Sequence, residues 1–511
     1  MIETITKVND AVNSAVWGLP GLILLIGTGI LLTLCTKVFQ ISHLAHWWKK
    51  TIVTVFKKNS DTTKNTDKKN ISQFQALCAA LAATIGTGNI AGVAAAIVTG
   101  GPGAVFWMWV AAFFGMMTNF SENILGIYYR RKNKDGEWSG GPMYYLRDGL
   151  GKRYGTWLSP VAKTLAFLFS CFAILASFGI GNMAQINKIV LNMDSAFFSG
   201  VSLGNIPGTE INIIHLIIGI GLLILGALII IGGLRRIAKV AEVVVPFMAI
   251  FYVIGALIIF VLNIGQVGAM FASIFRFAFE PAAFLGGGIG VLISKTMTQG
   301  FKRGVFSNEA GLGSSVIVHS SSNVKEPVKQ GMWGIFEVFF DTFVVCTMTA
   351  IVVLSTGYID LATGAPAAGI NGDTLVSDAF GRFFGAPGTW FVAIAMLFFA
   401  FTTVLGWSQY GSKSVEYLFG AKGVKVYKVI FVLMIVSGAV MEGGLAWDLS
   451  DTFNGLMMIP NLIGVVALLP LVLKIVKNYT DRKIKNKDVA PILSYDSQIQ
   501  KDMEEALSKD E

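Results

Sequence analysis

The chain alternates long apolar runs with short polar connections. Runs such as residues 18–39 and 211–234 are long enough to cross about 30 Å of hydrocarbon, which takes roughly 20 apolar residues in an α-helix. We number the predicted membrane-spanning helices as spans one to eleven, with approximate limits 18–39, 74–98, 103–129, 158–178, 211–234, 241–263, 270–303, 331–356, 387–416, 424–441 and 452–477. The pattern therefore predicts an all-α polytopic membrane protein of about eleven transmembrane helices.

The basic residues fall on one side of these spans. Lys and Arg cluster after the odd-numbered spans, whereas the connections TGGPG and LNIGQ, which follow even-numbered spans, have none. Since cytoplasmic loops carry the excess of Lys and Arg, we expect the N-terminus, 1–17, outside the cell. The transmembrane domain then covers 18–477. The tail, 478–511, is expected in the cytoplasm, solvated and partly disordered.

Composition and charge exclude several functions. Of the 511 residues, 54% are hydrophobic and 14% are charged, against about 25% charged in soluble domains. The net charge of +9 comes from the basic loops, so it does not indicate nucleic-acid binding. The sequence has no Walker-type phosphate loop, no nucleophile–base pair and no cluster of metal ligands. We therefore expect neither an ATP-driven pump nor an enzyme.

Span two carries poor helix formers near its centre, in the stretch AATIGTGNIAG, residues 82–92. One interpretation is close helix packing through small residues such as Gly88 and Gly92. The other is a break in the helix, which is tolerated at mid-membrane only where it lines a cavity or is buried in protein. Freed N–H groups at such a break bind carboxylates, and freed carbonyls bind cations.

A second interrupted segment favours the break. Span seven contains Pro281 followed by four glycines between residues 286 and 290. It lies five spans after span two, and paired interruptions in corresponding positions of two halves indicate the binding site of a transporter. Spans two to six and spans seven to eleven form these halves. The halves are inverted because five is an odd number, and span one lies outside the repeat.

Six motifs cover nearly the whole membrane region. They are TIGTGNIAGVAAAIVTGGPGAVFWMW (84–109), GGPMYYL (140–146), GIGNMAQIN (179–187), RGVFSNEAGLGSS (303–315), VLGWSQYG (404–411) and NGLMMIPNLIG (454–464). In combination they resemble the alanine/glycine:cation symporter family. The resemblance implies a LeuT-type inverted repeat of five plus five helices. It also implies uptake of amino acids across the plasma membrane, driven by sodium.

The resemblance also implies a substrate site at the two interruptions. The substrate carboxylate is expected on the backbone N–H groups of Thr87 and Gly88, with Asn89 bracing the broken turn. A plain interhelical hydrogen bond is the alternative role for Asn89, and also for the next substrate candidate, Gln185. The remaining implied pocket residues are Phe284, Gly287 and Trp407.

Sodium requires a small cage of oxygen atoms, in keeping with hard-cation chemistry. By analogy with LeuT-type folds, the carbonyls of Ala82 and Ile85 in span two face the hydroxyls of Thr402 and Thr403 in span nine. The alternative is that each threonine bonds a carbonyl of its own helix, as is common in membrane helices. Apart from sodium as the coupling ion, no cofactor is expected.

Ionisable residues inside membrane spans are candidates for coupling or gating. Glu122 lies in span three, two turns before Arg130, so an ion pair between them is as plausible as a coupling role. Asp341 lies ten residues inside span eight and is the better coupling candidate. Glu309 is interpreted as a gate or lock on the cytoplasmic side, either pairing with Arg303 or capping the next turn.

These features together predict a symporter that imports a small neutral amino acid, alanine or glycine, with sodium by alternating access. A glutamine importer of the same fold is the first alternative, and it requires a roomier pocket at Phe284, Gly287 and Trp407. A receptor that binds an amino acid without moving it is the second. The sequence leaves open L/D selectivity, coupling to sodium or protons, stoichiometry and oligomeric state.

Overall fold

The computed structural model describes residues 2–57, 62–63, 70–151, 155–279, 295–441 and 445–508. These residues form a bundle of helices with one two-stranded hairpin, in which Arg131–Lys132 pairs antiparallel with Trp138–Ser139. The α-helices are Ile2–Val16, Leu19–Cys35, Phe39–Ser42, Leu44–Lys50, Ile52–Val55, Gln73–Thr84, Val93–Gly100, Ala104–Tyr128, Pro142–Tyr144, Ser159–Phe178, Ala184–Met193, Ile213–Ile230, Gly233–Leu262, Val267–Phe279, Lys295–Asn308, Ser315–His319, Pro327–Val338, Thr347–Leu354, Leu375–Phe384, Ala386–Val440, Leu445–Ala467, Leu469–Lys483 and Ser497–Ser508.

Most described helices follow the predicted spans, but span four, predicted as 158–178, continues to Phe198. Seven are long and apolar enough to cross a membrane, or nine if each of two bent pairs is one span. The longest, Ala386–Val440, is divided by non-helical backbone at Gly420, with φ +71° and ψ −174°, and so contains both span nine and span ten. The predicted limits of span seven are wrong. Helix Val267–Phe279 and the start of helix Lys295–Asn308, on either side of residues outside the described part, both lie beside the connection between spans two and three, since an added Cβ would meet Ala278 at Gly103 and Thr296 at Gly100. The chain crosses the bundle from Lys295 to Ser322, which pairs with Ile71 at the opposite end of span two.

Span two is broken at its centre, as the glycine-rich stretch predicts. Its first helix begins with a capping box, in which the Ser72 side chain accepts from Gln75 N and the Gln75 side chain accepts from Ser72 N. This helix ends at Thr84, because Ile85 takes an extended conformation with ψ 92°. The two halves, Gln73–Thr84 and Gly88–Gly100, are bent by 54°. The interpretation of residues 82–92 as a packing motif on a continuous helix is therefore wrong.

Two further spans widen to π-helical turns where they approach this break. Span four does so at Gly179–Met183, which ends two residues before Gln185, and span eight at Phe339–Cys346, which includes Asp341. A π-helical turn leaves some carbonyls without their usual donor, and such turns occur frequently at functional sites. All three irregular segments lie near the middle of their spans, where water is not available to satisfy the backbone.

The outer surface of the bundle is apolar. On spans five and six, Ile217, Ile224, Leu228, Val243 and Ile250 each expose more than half of their surface. Large contiguous apolar surfaces are rare on soluble proteins, but they suit contact with lipid. The buried core, in contrast, surrounds the broken centre of span two and contains many polar side chains.

The predicted disorder of the tail is wrong for residues 478–508. Span eleven continues as a helix to Lys483, and a further helix covers Ser497–Ser508. The connection between them is held by hydrogen bonds from Asn478 Nδ2 to Ala490 O, at 2.8 Å, and from Tyr495 N to Tyr128 O, at 3.0 Å. A charged composition therefore did not prevent this segment from docking on the bundle.

Candidate functional site

The break in span two redirects two backbone N–H groups to side chains. In a continuous helix, Gly86 N would donate to the carbonyl of Ala82, four residues earlier. It donates instead to Asn89 Oδ1, at 2.9 Å. Thr87 N likewise donates to Gln185 Oε1 on span four, at 3.2 Å. The helical carbonyls of Ala82 and Ala83 thus lose their usual donors.

Span nine brings one hydroxyl to a carbonyl of the break. Thr403 Oγ1 lies 3.4 Å from the Ile85 carbonyl and also donates to Phe399 O of its own helix, at 3.0 Å. The neighbouring Thr402 does not reach the break. Its hydroxyl bonds Phe398 O at 2.8 Å and lies 3.5 Å from the sulfur of Met248 on span six.

Asn89 connects the break to span eight. While its Oδ1 accepts from Gly86 N, its Nδ2 donates to Asp341 Oδ1 at 2.6 Å. The other carboxylate oxygen, Oδ2, accepts from Ser307 Oγ at 2.8 Å and from Thr342 Oγ1 at 2.9 Å. All four side chains are fully buried. A carboxylate buried in this way is costly unless it is hydrogen-bonded, so this network fixes the spatial relation between spans two, seven and eight.

A small cavity lies beside the break. Its volume is about 10 Å³, which is the space needed by roughly one water molecule. It is lined by Ala83, Thr84, Gly86, Gly88, Ile180, Gln185, Phe306, Glu309, Thr403, Trp407 and Asn454. Any solute larger than water can therefore enter only if side chains around the cavity move.

Trp407 and Glu309 form one wall of this cavity. Trp407 Nε1 donates to Glu309 Oε1 at 2.9 Å, and Ser314 Oγ donates to Glu309 Oε2 at 2.5 Å. Glu309 follows helix Lys295–Asn308 in the left-handed region, with φ +55°, which turns its side chain toward span nine. The indole also packs against span four so closely that a Cβ on Gly181 would overlap it.

A second, larger cavity leads toward the break from the end of the bundle that carries the 356–374 loop. Its volume is about 420 Å³, within the range of small-molecule sites. We call it the vestibule, and its lining residues are Thr87, Ala91, Gly92, Ala95, Asn187, Lys188, Leu191, Arg303, Phe306 and Asp373. Phe306 lines both cavities, so its ring lies between the vestibule and the break.

A family model described as "Sodium:alanine symporter family" matches residues 2–492. The chain belongs to this family. It is 43% identical to "Sodium/alanine symporter AgcS" of Methanococcus maripaludis, over 92% of this chain and 96% of the relative. It is 35% identical to "Probable sodium/glutamine symporter GlnT" of Bacillus subtilis, over 96% of this chain and 93% of the relative.

The fold agrees with this membership. The structure titled "Crystal structure of MhsT in complex with L-phenylalanine" matches with a TM-score of 0.52 at 12% identity, covering 80% of this chain and 99% of that chain. At this identity the match shows the fold alone. The predicted family and LeuT-type fold are confirmed, and the symporter is a transporter rather than an enzyme.

Two ion pairs considered for the symporter do not form. Glu122 accepts a hydrogen bond from Asn461 of span eleven, while Arg130 donates to the carbonyls of Ser322 and Val324, at 2.6 and 2.5 Å. Glu309 does not meet Arg303, whose guanidinium lies over the Phe306 ring, 5.7 Å from its centroid. The Glu309 carboxylate lines the cavity at the break, and its expected role as a gate or lock stays a prediction.

The predicted residues that do meet at the break come from spans two, four, seven, eight and nine. They are Ala82, Ile85, Thr87, Gly88, Asn89, Gln185, Glu309, Asp341, Thr403 and Trp407. Phe284 and Gly287 lie outside the described residues. Phe306 was missed, although it lies within the motif RGVFSNEAGLGSS.

A second buried carboxylate in span eight was also missed. Glu337 Oε2 lies 2.9 Å from His319 Nε2 and 3.4 Å from Asn119 Nδ2. Nδ1 of the same histidine lies 2.6 Å from Gln330 Nε2, and these residues are fully buried. Glu337 precedes Asp341 by about one helical turn. A second acidic residue at this spacing inside a membrane span was the feature of the sequence that could have identified Glu337 as a buried carboxylate.

Proposed function

We propose that this symporter imports alanine or glycine together with sodium by alternating access. The observation that carries the proposal is the broken centre of span two beside a small cavity. There the Ile85 carbonyl meets the Thr403 hydroxyl, and Thr87 N bonds the Gln185 side chain instead of a helical carbonyl. The N-terminus lies outside and the tail in the cytoplasm, as the basic loops indicate. The vestibule then opens to the exterior, because it lies beside the loop between spans eight and nine. Arg303 lines the vestibule, so in this orientation it does not belong to a cytoplasmic loop after span seven.

The sodium ligands in this proposal are the carbonyls of Ala82 and Ile85 and the hydroxyl of Thr403. The first carbonyl lacks its helical donor, since Gly86 N bonds Asn89. The second already faces the Thr403 hydroxyl at 3.4 Å. Hard cations prefer oxygen ligands of this type. Thr402 contributes less, because its hydroxyl faces span six.

The substrate carboxylate occupies the position now taken by Gln185 Oε1. That amide oxygen is a neutral acceptor on Thr87 N, and a carboxylate at the start of the second half-helix also gains from the helix dipole. Gly88 permits this close approach, since an added Cβ would lie 3.0 Å from the Phe306 ring. When the carboxylate binds, Gln185 rotates toward the substrate and Asn89 keeps the turn in place.

The tightness of the cavity favours a small substrate. Trp407, Phe306 and Gln185 close it to about 10 Å³, so a substrate with a long side chain would require larger displacements than alanine or glycine. Two proposed coupling contacts join this site to the rest of the bundle, Asn89–Asp341 on one side and Trp407–Glu309 on the other. Rocking of spans two, three, seven and eight against the others would alternate access to the site.

Uptake by proteoliposomes tests this function. With sodium outside and none inside, the purified protein should concentrate labelled alanine, and unlabelled glycine should compete more strongly than glutamine. Dissipating the sodium gradient should abolish accumulation. Binding of alanine without accumulation would support a receptor instead, while stronger competition by glutamine would support the glutamine importer. The same assay with D-alanine and with a proton gradient addresses stereoselectivity and the coupling ion.

Replacing Thr403 by alanine should weaken sodium binding selectively. The free energy lost with one hydroxyl ligand is comparable to that of a hydrogen bond to a charged group. We therefore expect about a tenfold rise in the sodium concentration for half-maximal uptake. The matched control is Thr402→Ala, which removes a hydroxyl that bonds only its own helix and Met248. Equal effects of the two substitutions on sodium dependence would contradict the proposed ligand set.

A further inference from the structure

A cleft lies between the end of span one and the last helix of span eleven, Leu469–Lys483, which is bent by 59° from the helix before it. Its volume is about 390 Å³, within the range of small-molecule sites. Beside it, Arg482 pairs with Glu326 at the start of span eight, so the cleft lies at the end of the bundle opposite the vestibule. The residues that line it are Cys35, Thr36, Lys37, Phe39, His43, Leu473, Val476, Lys477, Thr480, Asp481 and Lys485.

A strained turn shapes one wall of this cleft. Lys37 and Val38 lie in the left-handed region, with φ +58° and +54°, which residues other than glycine rarely adopt and β-branched residues least of all. After the turn, the Phe39 ring is buried and stacks on His43, with 4.5 Å between the ring centroids, whereas Lys37 stays exposed at the rim. Backbone strain of this kind concentrates at positions that hold ligands.

The short helices that follow span one carry exposed apolar side chains beside basic ones. Ile41, Trp48 and Phe56 expose 58%, 40% and 84% of their surface, and Lys49 and Lys50 end the helix that contains Trp48. An amphipathic segment of this composition lies in the membrane interface, with its apolar side chains among the acyl chains. The cleft therefore opens at the level where lipid headgroups meet acyl chains.

The rim of the cleft is positively charged, with Lys37, Lys477 and Lys485 against Asp481. Asp481 lies 3.3 Å from Lys485 Nζ, whereas neither Lys37 nor Lys477 forms an ion pair within the described part of the chain. Burial and the charge of Lys485 lower the pKa of the His43 imidazole, in agreement with a positive potential inside the cleft. The cleft thus offers two uncompensated ammonium groups next to an apolar wall.

We propose that this cleft binds one anionic phospholipid, with its phosphate on Lys37 and Lys477 and an acyl chain against Cys35, Leu473 and Val476. Basic pockets between transmembrane helices on the cytoplasmic side recognise anionic headgroups. A neutral lipid would leave the two lysines without a counter-charge, and a free phosphate would leave the apolar wall uncovered. The lipid site goes beyond the proposed function and depends on neither the transported solute nor the coupling ion.

Native mass spectrometry of the purified full-length protein tests this site, with phosphatidylglycerol and phosphatidylcholine of the same acyl chains added in turn. We expect one phosphatidylglycerol to stay bound to each wild-type chain under conditions that remove phosphatidylcholine. A lysine beside anionic lipid contributes about fivefold to binding, so Lys37→Gln together with Lys477→Gln should weaken phosphatidylglycerol binding about 30-fold. Arginine at both positions should retain the lipid, because it keeps the charge. Leu473→Trp should release the lipid without changing the charge, because the indole fills the apolar part of the cleft.

Lys422→Gln together with Lys425→Gln is the matched control. Both lysines are exposed where spans nine and ten join, and neither lines the cleft, so removing the same charge there should leave phosphatidylglycerol binding unchanged. Equal weakening in this control, unchanged binding in Leu473→Trp, or equal retention of the two lipids by the wild type would overturn the lipid site. Displacement of phosphatidylglycerol by inorganic phosphate would also overturn it, because the cleft would then be a site for free anions.

Discussion

Replacing Gly406 by alanine should reduce sodium-driven uptake on the order of 100-fold. Gly406 lies on span nine where it crosses the broken part of span two, and an added Cβ would lie 2.5 Å from Ala83 Cβ, 2.8 Å from its Cα and 2.9 Å from its N. Two of these atoms belong to the backbone and cannot rotate away. Overpacking of this kind costs about 1–3 kcal/mol, and 3 kcal/mol corresponds to about a 100-fold loss of affinity.

An added methyl group at Gly406 would push span nine away from span two. This would disturb the sodium ligands, since Thr403 lies one turn before Gly406 and contacts Ile85 O. Initial rates of alanine uptake at several sodium concentrations measure the effect. The matched control is Gly221→Ala, at a helical glycine of span five whose added Cβ meets nothing within 4 Å. Normal sodium dependence in Gly406→Ala would show that close contact between spans two and nine is not needed.

Asp341→Ala should abolish transport. The carboxylate accepts hydrogen bonds from Asn89, Ser307 and Thr342, and each buried donor left unpaired costs about 1–3 kcal/mol. Loss of these bonds releases Asn89, which holds Gly86 N in the broken turn. Asp341→Asn should keep part of the activity, because the serine and threonine hydroxyls can rotate to accept from the amide.

Uptake rate and sodium dependence should be measured together with monodispersity of the purified variants, so that lost folding is distinguished from lost coupling. Asp378→Asn, at an exposed position of helix Leu375–Phe384, is the control for removing an acid and should be active. If Asp341→Ala folds and transports with unchanged sodium dependence, then the connection between span eight and the break has no part in coupling.

The broken helix was predictable from sequence because its cause is local. Glycines and threonines weaken the helix near its centre, and a bilayer tolerates such a stretch only when it is used or buried. The second interruption, at residues 281–290, also favoured a break, but it lies outside the described residues and stays a prediction. Most span limits were predictable for a similar reason, since bilayer thickness fixes their length. The limits of span four were not, because its helix continues from residue 178 to Phe198.

The rotation of each helix about its axis was not predictable. Thr402 and Thr403 are adjacent, yet their side chains point about 100° apart around the helix axis. Only the packing of span nine against spans two and six determines that Thr403, and not Thr402, reaches the break. The direction of the Glu309 side chain was unpredictable for a related reason. The turn at φ +55° after Asn308 directs its side chain to Trp407, and nothing in the neighbouring residues specifies that direction.

Hydrogen bonds between residues distant in sequence could not be predicted either. Arg130 was expected to interact with Glu122, two turns away on the same helix. It bonds carbonyls of residues 322 and 324 instead, which the fold brings to the end of span three. Gln185 was identified as a polar residue on an apolar helix, but its bond to Thr87 N depends on the π-helical turn that precedes it.

The most direct test of the central claim is to locate a bound monovalent cation. Crystals of the protein grown with alanine and soaked in thallium(I) would reveal the ion by its anomalous scattering, and excess sodium should displace it. We predict a single strong peak at the break of span two, within ligand distance of Ala82 O, Ile85 O and Thr403 Oγ1. A sodium-displaceable peak elsewhere, with none among these three oxygens, would contradict the account.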